Sequence, residues 1–207
     1  MEKLRVEPLP LGLYDEAGYL AYLEGRDDAL VVDPGAPAEQ IREAVGRAGR
    51  RLTAILITHG HFDHTLGAAG LRELTGARIY IHPLDAPMLK SPEPLKMAPE
   101  IGARFHPCEP DALIEPGPLE LCGMGIEALH TPGHSPGGVC YYLPDERALF
   151  TGDTLFRYGF GRTDFAGGSS RALRASLLRL LALPGETAIF PGHGESARLS
   201  AVKEYFS

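Results

Sequence analysis

Thr58-His59-Gly60-His61-Phe62-Asp63-His64 is the segment that most restricts how this chain can fold. Three imidazoles and a carboxylate crowd into the six residues from His59 to His64. A group that polar cannot lie in a core without partners. In extended backbone His59 and His61, two positions apart, point to the same side and can grip one ion together. Asp63 and His64 are adjacent and diverge, which suits a second ion nearby. Residues 52–57, Leu-Thr-Ala-Ile-Leu-Ile, read as a buried strand. Residues 65–75 carry Leu66, Ala69, Leu71 and Leu74 at a helical spacing. The cluster is therefore expected on a strand-to-helix turn, where a rigid scaffold holds polar groups at a cleft.

Three further ligand-type residues stand in similar settings. His134 lies in Thr131-Pro132-Gly133-His134-Ser135-Pro136-Gly137-Gly138, a Pro/Gly turn after the short run 125–129. Asp153 follows Ala148-Leu149-Phe150-Thr151-Gly152, and His193 follows Ala188-Ile189-Phe190-Pro191-Gly192. Each reads as a strand, a glycine, then the ligand. Repeated strand ends tipped with His or Asp point to a shared ion rather than to unrelated polar loops. Asp63 and Asp153 offset only part of the charge of two divalent ions, and a bridging hydroxide offsets more. The site would stay mildly positive, as polarising a carbonyl requires. A metal-bound water ionises near neutral pH, so no other nucleophile is needed. Zinc is the first expectation, although His and carboxylate ligation without thiolate suits zinc, iron and manganese alike.

These motifs resemble the metallo-β-lactamase-fold superfamily and, within it, the glyoxalase II-like (hydroxyacylglutathione hydrolase-like) hydrolases. The resemblance runs from Val31-Val32-Asp33-Pro34-Gly35 through the histidine segment and Thr131-Pro132-Gly133-His134. It continues in Thr151-Gly152-Asp153-Thr154-Leu155-Phe156 and Pro191-Gly192-His193-Gly194. It implies an α+β fold, a four-layer αββα sandwich with the metals at the rim between two sheets. It also implies that His59, His61 and His134 hold one divalent ion and Asp63, His64 and His193 another, with Asp153 bridging both. A metal-bridging hydroxide would attack a thioester such as an S-2-hydroxyacylglutathione, and Asp63 would also orient the hydroxide and share in proton transfer. Asp33 would orient a ligand histidine.

The resemblance thins at the substrate. Where glutathione-using members carry a basic residue this chain has Arg162, in Gly161-Arg162-Thr163-Asp164-Phe165, but Asp164 stands where an aromatic is usual. The chain as given ends soon after His193, so a short form without the family's extra C-terminal helical domain is expected. The same segment resembles the persulfide dioxygenases of this fold, which hold a single iron on two His and one Asp. His59, His134 and Asp153 could supply that triad. A lactonase would use the same ligands. A non-enzymatic metal-binding protein would have no use for Asp153. A secreted β-lactamase fits less well, because no signal-peptide pattern opens the chain and some subclasses place Cys or Ser where Asp153 stands. A flavin-partnered diiron reductase would usually show Glu in place of His61.

With 207 residues, 44% of them hydrophobic, and no linker or charge block, the chain reads as a single domain over residues 1–207. A net charge of −7 argues against nucleic acid as a partner. No apolar run reaches membrane-span length. A small-molecule substrate is expected, and the oligomeric state is left open. Cys108, Cys122 and Cys140 lack metal spacing and read as buried free thiols of a cytoplasmic protein. The expected scaffold has a hairpin of 19–23 with 29–32, a strand at 78–82 and a strand block at 119–150. Helices are expected at 38–48, 170–183 (capped by Ser169 or Ser170) and 199–206. The Pro-rich stretch 83–118 reads as loop with a short helix at 85–89. His82 and His106 read as structural or surface residues, and His130 as a candidate to hydrogen-bond behind His134. Phe156, Tyr158, Phe160 and Phe165, with Arg157 and Arg162, could wall a substrate cleft beside Asp153.

Overall fold

Residues Asp28–Val32 (β3) are Asp-Ala-Leu-Val-Val, apolar on both faces, and such a strand must be covered twice. In the computed structural model, which describes residues 3–90 and 105–206, β3 lies inside a six-stranded sheet. The sheet contains β1 (Leu4–Pro8), β2 (Tyr19–Leu23), β3, β4 (Arg51–Leu56), β5 (Arg78–Ile81) and β6 (Ala112–Leu113) in chain order. β1 to β3 are antiparallel neighbours, and β3 to β6 run parallel. Parallel neighbours need crossovers. Between β3 and β4 the crossover is α1 (Ala38–Arg47), and between β4 and β5 it is α2 (Phe62–Thr65) with α3 (Ala68–Thr75).

The second sheet is built from β7 (Gly117–Leu121), β8 (Met124–His130), β9 (Val139–Leu143) and β10 (Ala148–Gly152) as an antiparallel meander. A small hairpin of β11 (Leu155–Phe156) with β12 (Gly159–Phe160) and then α4 (Ser170–Leu181) lead to β13 (Ala188–Pro191), parallel to β10. β14 (Ala197–Arg198) closes the edge, and α5 (Leu199–Tyr205) follows.

Strand alternation distributes the apolar residues into three layers. Val31, Ile55 and Ile79 pack with Ile41 and Val45 of α1 and Leu71 of α3. Leu30, Val32 and Leu56 face Met124, Ile126, Tyr141 and Phe150 between the sheets. Leu149 and Ile189 pack with Leu180 of α4 and Leu199 and Val202 of α5. The order helix, sheet, sheet, helix is the four-layer αββα sandwich. Full burial of each such side chain contributes about 1.5–3 kcal/mol.

The two sheets are tied beneath the histidine segment. Tyr141 in β9 donates its buried hydroxyl to the Ile57 carbonyl at 2.8 Å, and the Val139 N–H donates to the Thr58 carbonyl at 2.8 Å.

Three segments differ from the sequence expectation. The helix expected over 65–75 is split at Leu66 and Gly67, because the loop after β3 passes too close for a side chain. The Gly67 N–H donates to the Pro34 carbonyl at 2.8 Å, and a Cβ at Gly67 would lie 2.3 Å from the Ala36 oxygen. The short helix near 85–89 is a 3₁₀ turn, Ala86–Lys90. The Pro-rich stretch also contributes β6 and the start of β7, and its residues 91–104 lie outside the described ones. The helix at 170 is capped by Ser169, whose Oγ accepts from the Ala172 N–H at 3.2 Å. All three cysteines are buried and free.

Tyr141→Phe would leave the Ile57 carbonyl buried without its donor. The substitution should destabilise the protein by about 1–3 kcal/mol, read from urea denaturation. An unchanged midpoint and slope would show that this bond does not hold the sheets together.

Candidate metal centre

Four strand ends meet at one rim of the sandwich. β4 leads into Thr58 and the histidine segment, β8 into the His134 loop, β10 into Asp153 and β13 into His193. Close approach explains two of the glycines that precede ligands. Gly152 has φ +46°, and a Cβ there would meet the Thr58 hydroxyl at 2.2 Å. A Cβ at Gly192 would lie 2.5 Å from both Asp153 Oδ1 and His64 Cε1.

The seven ligand-type residues converge into two groups joined by Asp153. His59, His61 and His134 present ring nitrogens within 4.8 Å of one another, and Asp63, His64 and His193 do the same with a carboxylate oxygen and two ring nitrogens. His61 Nδ1 and His134 Nε2 are 2.8 Å apart. Asp153 Oδ2 lies 3.4 Å from His134 Nε2 and 3.7 Å from His193 Nε2, while Oδ1 lies 3.4 Å from His64 Nε2. Asp63 Oδ2 is 3.5 Å from His193 Nε2 and 3.9 Å from His64 Nε2.

Hydrogen bonds behind the rings fix which nitrogen faces inward. His134 Nδ1 donates to the Arg162 carbonyl at 2.8 Å, leaving Nε2 with its lone pair toward Asp153. His64 Nδ1 donates to Asp33 Oδ2 at 3.0 Å. The Thr58 hydroxyl donates its one proton to Asp33 Oδ2 at 2.6 Å, so it accepts from His59 Nδ1 at 3.1 Å. Asp33 Oδ1 accepts from the Thr58 N–H at 2.7 Å. Asp33 also groups with His59 and His64 at ligand distances. Its two oxygens are already committed to Thr58 and His64, so it orients rings rather than facing an ion.

His59 Nε2, His64 Nε2 and Asp153 Oδ1 are buried and have no hydrogen-bond partner. Each such atom costs roughly 1–3 kcal/mol if left unsatisfied. Divalent cations, one at each group with Asp153 shared, would accept these electron pairs, so the residues present fit metal ions. The protonation pattern agrees. Burial and the neighbouring His64, His61 and His134 hold His59 well below the usual imidazole range. Burial and His134 bring His61 down to about 4. Burial works against ionisation of Asp153, but His64 and His134 outweigh it and hold the carboxyl at about 2. Burial opposes ionisation of Asp63 too, and there the hydrogen bond from His193 prevails, with His64 assisting. Burial pulls His64 down, yet Asp153 and Asp33 raise it well above its ordinary value, and the bond to Asp63 raises His193.

Glu16 escaped the sequence reading. It is fully buried, both its carboxylate oxygens lack partners, and Oε1 is 3.9 Å from His64 Nδ1. Burial, with Asp33 and Asp63 adding to it, pushes its carboxyl up to about 9 although His64 pulls the other way. The next residue anchors the segment to the His193 loop, Ala17 N–H donating to the Gly192 carbonyl at 2.7 Å. An acid in an irregular loop carries no periodicity that could have marked it.

The rim departs from expectation in detail. The Arg162 side chain is exposed and paired with Asp164, Nε to Oδ1 at 2.6 Å, and its guanidinium lies 4.6 Å over the Phe165 ring. Arg157 pairs with Glu195 and covers Tyr158. Phe165 sets its ring edge-on to His61 at 5.0 Å and to His134 at 5.8 Å, and Phe156 approaches His193 at 6.2 Å. Tyr158 and Phe160 pack instead on Tyr205 and Phe206. His130 bonds the Pro136 carbonyl at 2.9 Å rather than His134, and stacks on buried His82 at 4.3 Å. His106 is exposed.

The family model for the metallo-beta-lactamase superfamily matches residues 14–193. Hydroxyacylglutathione hydrolase GloC of Haemophilus influenzae is 31% identical over 209 residues, 97% of this chain and 95% of that protein. Two solved structures are similar throughout. BLEG-1, described as a B3 metallo-beta-lactamase, is 32% identical with a TM-score of 0.90, covering 97% of each chain. TTHA1623, solved in a di-iron-bound form, is 38% identical with a TM-score of 0.86, covering 97% of this chain and 98% of its own.

Asp33→Asn would set an amide against the His64 and Thr58 donors. It should weaken zinc binding by the Asp63, His64 and His193 group about ten- to a hundredfold, measured by competition with a chromophoric chelator. Unchanged affinity would remove Asp33 from its orienting role.

Proposed function

This chain belongs to the metallo-beta-lactamase superfamily, and from that premise we propose that it is a metal-dependent thioester hydrolase acting on S-2-hydroxyacylglutathione or a smaller-thiol relative. The observation that carries the reading is the meeting of two complete ligand groups at Asp153, where His59 Nε2, His64 Nε2 and Asp153 Oδ1 are buried without a hydrogen bond. His59, His61 and His134 would hold one divalent ion, Asp63, His64 and His193 the other, and Asp153 both. Zinc is the first choice, with iron or manganese as alternatives.

Such ions, once bound, supply an ionised water near neutral pH and polarise an acyl carbonyl. The remaining work falls to the chain. Asp63, held in its ionised form, orients the attacking water and shares in moving its proton. Asp33 and the Arg162 carbonyl keep the His64 and His134 rings in their inward-facing tautomers. Phe165, packed against the His61 and His134 rings, lends an apolar wall beside the first group. Arg162 is exposed and already paired with Asp164, which competes with an anionic part of the substrate, so thiol recognition is expected to be weak.

Support for a hydroxyacyl thioester comes from the likeness to GloC along nearly the whole chain. The completeness of the Asp63, His64 and His193 group favours two ions over the mononuclear iron dioxygenase, and the likeness to BLEG-1 adds β-lactams to lactones as further substrates to try. The reading takes residues 1–207 as one domain working on a small molecule in the cytoplasm, without nucleic-acid or membrane partners. Among the described residues no helix is long and apolar enough to cross a membrane.

One metal-characterised preparation should hydrolyse S-lactoylglutathione and show no oxygen uptake with glutathione persulfide. Asp63→Asn should lower the hydrolysis at least about a hundredfold. Oxygen uptake by iron-loaded protein that leaves the thioester intact would overturn the hydrolase reading, and near-normal turnover of the variant would overturn the role of Asp63.

A further inference from the structure

Asp85 is a buried carboxylate that lies outside both ligand groups and yet joins two of the loops that build them. It is fully buried immediately before the 3₁₀ turn Ala86–Lys90. Oδ2 accepts from the Gly60 N–H at 3.0 Å, and Oδ1 accepts from the Gly137 N–H at 2.6 Å. Gly60 stands between His59 and His61, and Gly137 lies in the turn that carries His134. The first loop extends from β4 in one sheet, and the second connects β8 to β9 in the other. One carboxylate therefore bridges the backbones that bring His59, His61 and His134 together.

The packing around this bridge leaves little slack. A Cβ on Gly137 would fall 2.6 Å from Asp85 Oδ1, and a Cβ on Gly60 would fall 2.8 Å from the Asp85 carbonyl oxygen and 2.7 Å from Met88 Cβ. Asp85 is fixed from its own side as well. Its N–H donates to the His82 carbonyl at 3.0 Å, and its carbonyl accepts from the Met88 N–H at 2.9 Å. Bonds from N–H to a carboxylate are the stronger kind, and Asp offers two acceptors in a fixed fork. Asn cannot replace it, because its amide nitrogen would face one of the two backbone N–H groups, donor against donor.

We propose that Asp85 is a positioning residue that sets the spacing between the His59–His61 loop and the His134 loop, and through it the cation affinity of the His59, His61 and His134 group alone. The inference rests on the metal-centre reading above. The Asp63, His64 and His193 group has its own support in Asp33 and receives no bond from Asp85.

Cobalt(II) titration followed by its visible absorption bands tests the proposal in two backgrounds. His193→Ala leaves only the first group complete, and His61→Ala leaves only the second. Asp85→Asn should weaken cobalt binding about ten- to a hundredfold in the first background and leave it unchanged in the second. Equal weakening of both groups, or of neither, would overturn the proposal. Should Asp85→Asn fail to fold, Gly137→Ala presses on the same bond from the loop side and should show the same selective loss, with equal loss or none again overturning it. If neither background binds cobalt before Asp85 is changed, the metal reading itself fails and this inference with it.

Discussion

His59 Nε2, His64 Nε2 and Asp153 Oδ1 are buried and make no hydrogen bond. Left so, they are a standing cost of roughly 1–3 kcal/mol each, and a fold that tolerates it must be held in place by something else. Here the support comes from the sandwich. Its three apolar layers fix both sheets, and the Tyr141 hydroxyl and the Val139 N–H fasten the second sheet to the strand end that carries the histidine segment. The ligand loops then have few ways to relax. Gly152 and Gly192 let backbone pass where any side chain would strike Thr58, Asp153 or His64.

The same constraint orders the charges. Thr58 relays a single proton pattern, donating to Asp33 and accepting from His59, while Asp33 accepts from His64. The outcome is a set of neutral or exchangeably protonated imidazoles around two ionised carboxylates, which is the state metal ligands must adopt before binding. Glu16 sits behind this set, where burial and the nearby carboxylates Asp33, Asp63 and Asp153 raise its carboxyl and favour the neutral form.

Much of this was readable from local pattern. The doubly apolar β3, the ligand-after-glycine strand ends and the Ser169 cap each depend on neighbours within a few residues, so sequence alone places them. Contacts between distant segments are another matter. The break at Gly67 comes from the Pro34 and Ala36 carbonyls, some thirty positions earlier. Glu16 and Asp85 are acids in irregular stretches, and only their burial against remote loops separates them from surface acids. Arg162 stands near the rim as its motif suggests, but its side chain pairs with Asp164 two residues on, a local contact that the motif does not reveal. His130 lies one helical turn's spacing before His134, yet strand geometry turns it toward Pro136 and His82.

The central claim is that two ions share Asp153. Anomalous diffraction at the metal absorption edges, from crystals of protein purified without chelator, tests it directly. The account predicts two peaks flanking the Asp153 carboxylate, one against His59, His61 and His134 and one against Asp63, His64 and His193. A single fully occupied peak beside the first group, with the second group bare, would contradict it.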